Sequence, residues 1–275
     1  MKHSVARIWT EVLALYLGSC LLIRAIKSLV DGGALGSDWL VLVALVFLYI
    51  PVVAERWGGF TVNSDILFPS PLGPALWKAA RFSGGIILLI YVFFLPGYHV
   101  CQTWLYHWFS ADILGMARPY GEFSPNGTIT SGVALTIGMQ ALYQLLCVGY
   151  AEEFFYRGYM QTRLADLFDP NRFSLFGAQF GWALPITALL FTLGHSLVTF
   201  QWWQPFILFP ALVFGWMRAK TGNILAAALF HAFANTAMIV LDHIYGLPGS
   251  TLEPTSGRDL LSDLAAPLRW LAGLF

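Results

Sequence analysis

The stretch FSGGIILLIYVFFLPGYHVCQTWLYHWFSA, residues 82–111, decides the fold, because it contains no Asp, Glu, Lys or Arg. About 20 apolar residues, at 1.5 Å of rise each, cross the ~30 Å hydrocarbon core of a bilayer. A run of this length reads as a transmembrane helix, with Pro96 as a point where it can bend. Similar runs lie on either side of it. Val12–Ile23 is short, but Trp9 can anchor one end, and Arg24 and Lys27 can snorkel from the other. Trp39–Ala54 is closed by Glu55-Arg56-Trp57, and a fourth run, strongly apolar after Gly132, ends at Ala151. Phe173–Met217 is too long for one crossing and is expected to break at Gln201-Trp202-Trp203-Gln204-Pro205. Thr221–Leu241 is the last full run, and the short apolar tail Leu268–Phe275 suits the membrane interface. The expected fold is an all-α polytopic membrane helix bundle of about seven transmembrane helices, with eight as the alternative count.

Composition agrees. Hydrophobic residues make up 57% of the 275 residues and charged residues 11%, with a mean hydropathy of +0.66; ordinary globular domains carry about 25% charged residues. Fifteen Lys+Arg and 15 Asp+Glu cannot coat a water-soluble fold of this size, so lipid is the solvent for most of the chain. The net charge is zero and no basic arm is present, which leaves nucleic acid without support as a partner. Cys20, Cys101 and Cys147 lie in apolar stretches without CxxC spacing, so neither a disulfide framework nor a zinc finger follows. Gly58–Ala80 and Asp112–Ser131, rich in Gly, Pro and Ser, read as loops, and residues 1–275 as a single integral membrane domain.

Lysine and arginine are unequally shared between the two faces of a seven-helix arrangement. The face holding the N-terminus carries ten, among them Arg7, Arg56, Arg157, Arg163, Arg172, Arg218 and Lys220; the other carries five. This bias favours a cytoplasmic N-terminus. Leu17-Gly18-Ser19-Cys20 loosely imitates a lipoprotein cleavage site, but Glu11 interrupts the entry to the apolar stretch, so the first helix is expected to be retained. Asn126-Gly127-Thr128 is a glycosylation sequon that matters only in a eukaryotic secretory pathway.

Ionisable groups within membrane spans are costly and call for a reason. The strongest cluster is Glu152-Glu153-Phe154-Phe155-Tyr156-Arg157, at the end of the fourth run. Glu153 and Arg157 stand at i, i+4 and can pair along the helix, which leaves Glu152, rotated about 100° away, without a partner on its own helix. His195 follows in Phe191-Thr192-Leu193-Gly194-His195, and His231 and Asn235 share a helix face four residues apart. Taken singly, each has an ordinary structural explanation: a helix-end salt bridge, a histidine bonded to a carbonyl, a polar clasp between helices. Counted from the expected helix starts, however, Glu152, His195 and His231 fall at similar depth, roughly 12–18 Å from one face. Asp242 lies on the face of His231 and Asn235 and either tunes that site or caps its far end, while His99, His107 and His243 read as interfacial anchors.

Glu-Glu-x-x-x-Arg, Phe-x-x-x-His and His-x-x-x-Asn, in this order on successive membrane helices, resemble the CPBP family of CAAX-protease and bacteriocin-processing intramembrane peptidases, also called the Abi family. The resemblance covers about residues 148–240. It implies an intramembrane endopeptidase acting on membrane-associated protein or peptide substrates, either prenylated CAAX-type tails or precursors with a C-terminal sorting segment. Glu152 would then be the general base that activates water, assisted by His195. His231 and Asn235 would polarise the scissile carbonyl, with Glu153 and Arg157 in support. A bacterial inner membrane suits the compact loops.

Zinc is the alternative cofactor, with Glu152, His195 and His231 as ligands and water in the fourth position. Against it, the chain has no HExxH motif, a ligating Glu152 leaves the water without a base, and Asn235 is a poor zinc ligand. A metal-free glutamate mechanism is therefore preferred. Two other functional classes fit less well. A proton-coupled transporter could use the same residues as a relay, but the chain lacks the duplicated halves common in transporters. A silent scaffold or immunity protein would have no need of three intact motifs.

Overall fold

The computed structural model describes residues 4–58, 61, 63–105, 129–201, 203–246 and 252. The Asn126 sequon, His107 and the apolar tail Leu268–Phe275 lie outside these residues. The described chain is helical apart from one small hairpin. Its principal elements are α1 (Val5–Asp31), α2 (Val41–Gly58), α3 (Ser64–Leu67), α4 (Leu72–Val100), α5 (Ser131–Ala165), strands β1 (Phe173–Leu175) and β2 (Ala178–Phe180), α6 (Ala183–Val198), α7 (Leu208–Thr221) and α8 (Leu225–Ile244). Four helical stretches are long and apolar enough to cross a membrane: α1, Leu72–Thr103, α5 and α8. The expectation of about seven crossings is thus met only in part. The remaining apolar runs form α2, α6 and α7, of 18, 16 and 14 residues, and at 1.5 Å per residue the last two reach only about 24 and 21 Å.

The run beginning at Phe173 departs from the all-α expectation. Its first residues pair as an antiparallel hairpin with Phe173 opposite Phe180 and Leu175 opposite Ala178. The two-residue turn Phe176-Gly177 has φ of 47° and 75°, the positive values that let a tight hairpin follow the twist of its strands. Two α7 side chains fix it: Trp216 Nε1 donates to the Leu175 carbonyl and Lys220 Nζ to the Phe176 carbonyl, both at 2.9 Å. Beyond α6 the chain breaks at the expected polar segment, where Gln204 Nε2 donates to the Thr199 carbonyl at 2.6 Å.

The described residues separate into two compact units, Met1–Tyr91 with Leu145–Ala232, and Val92–Gln144 with Phe233–Phe275. In the first unit, α1 buries Ile8, Val12, Tyr16, Ser19, Cys20, Ile23 and Ile26, the three-and-four spacing of a single helix stripe. This stripe packs on α6, where Tyr16 donates to the Leu190 carbonyl at 2.8 Å. Glu11 is drawn into the same packing. Its carboxylate accepts from Arg163 Nη2 at 2.8 Å and from the Tyr159 hydroxyl at 3.0 Å. Arg163, counted from the sequence among the charges of one membrane face, is buried. Small residues Ala226, Ala227 and Ala228 let α8 approach Ala79, Phe214 and Met217, and Ser83 of α4 donates to the Ala226 carbonyl at 2.8 Å. Outward, α4 presents Leu88 and Leu89, 76% and 62% exposed; for a chain in lipid this is the required exterior.

In the second unit Tyr98 and Tyr245 pack with Phe94, Met238, Leu241 and Ile244. Here Tyr98 donates to Asp242 Oδ1 at 2.9 Å, His99 Nδ1 lies 2.8 Å from the Tyr245 hydroxyl, and His243 Nδ1 accepts from the Leu252 amide at 3.1 Å.

Candidate active site

The two glutamates occupy a single α-turn of α5, Tyr150–Glu153, flanked by π-helical segments Gln144–Gly149 and Phe154–Met160. Wide π turns are rare and recur at functional sites, because the extra residue re-aims side chains without ending the helix. Glu153 points into the protein and is fully buried. Its Oε1 accepts from Arg157 Nη1 at 2.9 Å, the i, i+4 pair read from the sequence. The Arg157 guanidinium is equally buried; it donates through Nη2 to the Ala211 carbonyl at 2.9 Å and lies 4.5 Å from the Phe191 ring centroid and 5.2 Å from that of Phe214. An ion pair taken this far from water survives only with such additional partners.

The same Glu153 oxygen accepts a second hydrogen bond, from His231 Nδ1 at 3.0 Å. A carboxylate has only acceptor capacity, so Nδ1 carries the proton and Nε2 is the ring atom left for other work. His231 Nε2 lies 3.9 Å from Glu152 Oε2. That distance is within ion-pair range but beyond a hydrogen bond. Glu152 itself is largely buried, its side chain 14% exposed, and its Oε2 has no hydrogen-bond partner among the described residues. The imidazole thus stands between two carboxylates, and one guanidinium against two carboxylates leaves one negative charge.

Ring packing fixes His231 in this position. Phe214 of α7 stacks on it with centroids 4.7 Å apart and planes 16° from parallel, while Phe191 approaches edge-on at 5.8 Å. Phe191 also touches the His195 ring, 4.7 Å between centroids, and its carbonyl accepts from His195 Nδ1 at 2.9 Å. His195 therefore keeps Nε2 free of that bond, as His231 does. The two histidines flank one phenylalanine, and Glu152, Glu153, Arg157 and His231 form one cluster. Gly194 permits the approach of α6: a Cβ there would meet the Tyr156 hydroxyl at 2.9 Å. Asn235 belongs to the second unit, where its Nδ2 donates to Gln144 Oε1 at 2.9 Å.

Three of these features escape sequence reasoning. The bond from His231 to Glu153 joins residues 78 apart and leaves no periodic trace. Phe214 carries no motif at all. Gln144, partner of Asn235, looks like any polar residue in an apolar run. Phe191 was legible in principle, since it precedes His195 by one helical turn. For the zinc alternative, no group of three His, Cys, Asp or Glu side chains that could hold a metal ion exists among the described residues.

Residues 134–237 match the family model for type II CAAX prenyl endopeptidase Rce1-like proteins. The matched segment takes in Glu152, Glu153, Arg157, His195, His231 and Asn235. No curated protein and no solved structure matches the chain. The segment that carries the three motifs is therefore similar to the Rce1-like type II CAAX prenyl endopeptidases, in keeping with the CPBP group that the motif pattern resembles.

Proposed function

We propose that the protein is an intramembrane endopeptidase that cleaves a CAAX-type tail from membrane-associated, prenylated protein substrates. The observation that carries this reading is the geometry around His231, an imidazole clamped by Glu153 and Phe214 with its free nitrogen facing the unpartnered Glu152. Glu152 takes a proton from a water molecule as the water oxygen attacks the scissile carbonyl, and the same carboxyl then returns the proton to the departing amine. His195 Nε2 orients the water. Protonated His231 donates through Nε2 to the developing oxyanion, with Glu153 supporting the imidazolium as an acid supports the histidine of a catalytic triad. The resemblance implies a further uncharged donor in Asn235, the last residue of the His-x-x-x-Asn motif. No metal takes part. About seven helical passes with a cytoplasmic N-terminus, in a bacterial inner membrane, put the site within reach of lipid-anchored tails on the cytoplasmic face.

The test is a comparison of membrane-protein C-termini, by mass spectrometry, in cells with and without the protein and in cells carrying Glu152→Gln. The proposal expects a defined set of prenylated proteins to keep their last residues in the last two cases. Identical C-termini in all three overturn it.

A further inference from the structure

Where the C-terminal turns of α5 and α7 meet β2 and the first turn of α6, the first unit forms a partly open cavity of about 60 Å³. Phe168 and Leu184 form apolar walls; Gln161, Gln179 and Arg218 bring polar side chains. Arg218 is the unusual member. Arg157 and Arg163 each hold a carboxylate, at 2.9 and 2.8 Å, but Arg218 forms no ion pair among the described residues. Its Nη2 donates to Thr162 Oγ1 at 2.8 Å, and its buried Nε has no partner among them. The Gln161 amide is also half used: Nε2 donates to the Gly215 carbonyl at 3.3 Å and Oε1 is unpartnered. A half-buried guanidinium without a counter-charge is costly, and its cost falls when an anion enters. The α6 N-terminus, which has no side-chain cap at Trp182, lines the cavity with Ala183 and Leu184 and adds the positive end of a 16-residue helix dipole.

We infer that this cavity receives the terminal carboxylate of the substrate's tail, with Arg218 as the anchoring charge; the inference rests on the endopeptidase reading. Size agrees with it, because 60 Å³ holds about four waters or one carboxylate. Spacing favours it too. Gln161 lies nine residues beyond Glu152 on α5, and Leu184 eleven residues before His195 on α6, which is about 13–17 Å of helix. Three extended residues beyond a cleaved bond reach about 10 Å, and the arginine side chain supplies several more. The carboxylate anchor thereby measures the cleavage position from the chain end.

The experiment uses the purified full-length protein in lipid vesicles and synthetic prenylated peptides whose three-residue tail ends in a free acid or in an amide. Wild type is expected to prefer the acid by about 10- to 100-fold in kcat/KM, the weight of a hydrogen bond to a charged group. In Arg218→Gln that ratio falls toward one, and Arg218→Lys keeps an intermediate preference. Equal cleavage of acid and amide by wild type overturns the inference and leaves the endopeptidase reading standing. Cleavage of neither overturns both. An Arg218→Gln enzyme that keeps the wild-type preference removes Arg218 from the site; if that variant fails to fold, the wild-type ratio and Arg218→Lys decide.

Discussion

Replacing Glu153 by glutamine leaves a neutral amide where one carboxylate oxygen now serves both Arg157 and His231, at 2.9 and 3.0 Å. The fully buried guanidinium then lacks its counter-charge. Breaking a buried pair from one side costs about 3–5 kcal/mol. The Ala211 carbonyl and the faces of Phe191 and Phe214 still hold Arg157, so the lower end, about 3 kcal/mol, is expected. For a chain of this length that corresponds to a fall of roughly 6–12 °C in Tm. Arg157→Met should cost a similar amount, because it strands the Glu153 carboxylate. The double variant removes both charges and should be more stable than either single one. Differential scanning fluorimetry on detergent-purified protein measures all four forms. Strictly additive losses would mean that the pair is not coupled. A Glu153→Gln protein with wild-type Tm and no turnover would move Glu153 from support into the reacting set.

Asn235→Ala should lower single-turnover rates by roughly 10²–10³ with substrate binding little changed, and Asn235→Asp should be worse, since a carboxylate repels the forming oxyanion; near-normal turnover by Asn235→Asp refutes the donor role. Phe214→Leu removes the ring stacked 4.7 Å from His231 and should reduce kcat about tenfold with KM retained, an effect of about 1–2 kcal/mol, whereas Phe214→Tyr should stay near wild type in the same steady-state assay. Exhaustive chelation should leave activity intact; loss with EDTA and recovery with stoichiometric zinc, followed by elemental analysis, contradicts the metal-free mechanism.

The charge-free runs of the sequence reveal helices because lipid demands unbroken apolar stretches whose backbone bonds close internally. The same reasoning misplaces Phe173–Phe180. A short apolar and aromatic run looks alike as strand or helix, and the deciding signal was local, a glycine at position 177 after an exposed phenylalanine. Glu11 reads as an interruption of the first span and becomes intelligible only beside Arg163, 152 residues away. At the candidate site, the pairing of Glu153 with Arg157 follows from helical spacing, but its second bond to His231 depends on how α8 packs against α5. The π turns on both sides of Glu152 are likewise invisible to a periodicity of 3.6. Sequence identifies the reactive residue types; packing decides which nitrogen of each histidine is committed.

The central claim is that Glu152 activates the water that cleaves a prenylated tail. Single-turnover cleavage of a farnesylated peptide in lipid vesicles, with the released fragment identified by mass, tests it most directly on wild type and Glu152→Gln side by side. Wild type should release the C-terminal tripeptide, and a Glu152→Gln protein of unchanged Tm should do so at a rate at least about 10³ lower. Comparable tripeptide release by the two proteins would contradict it.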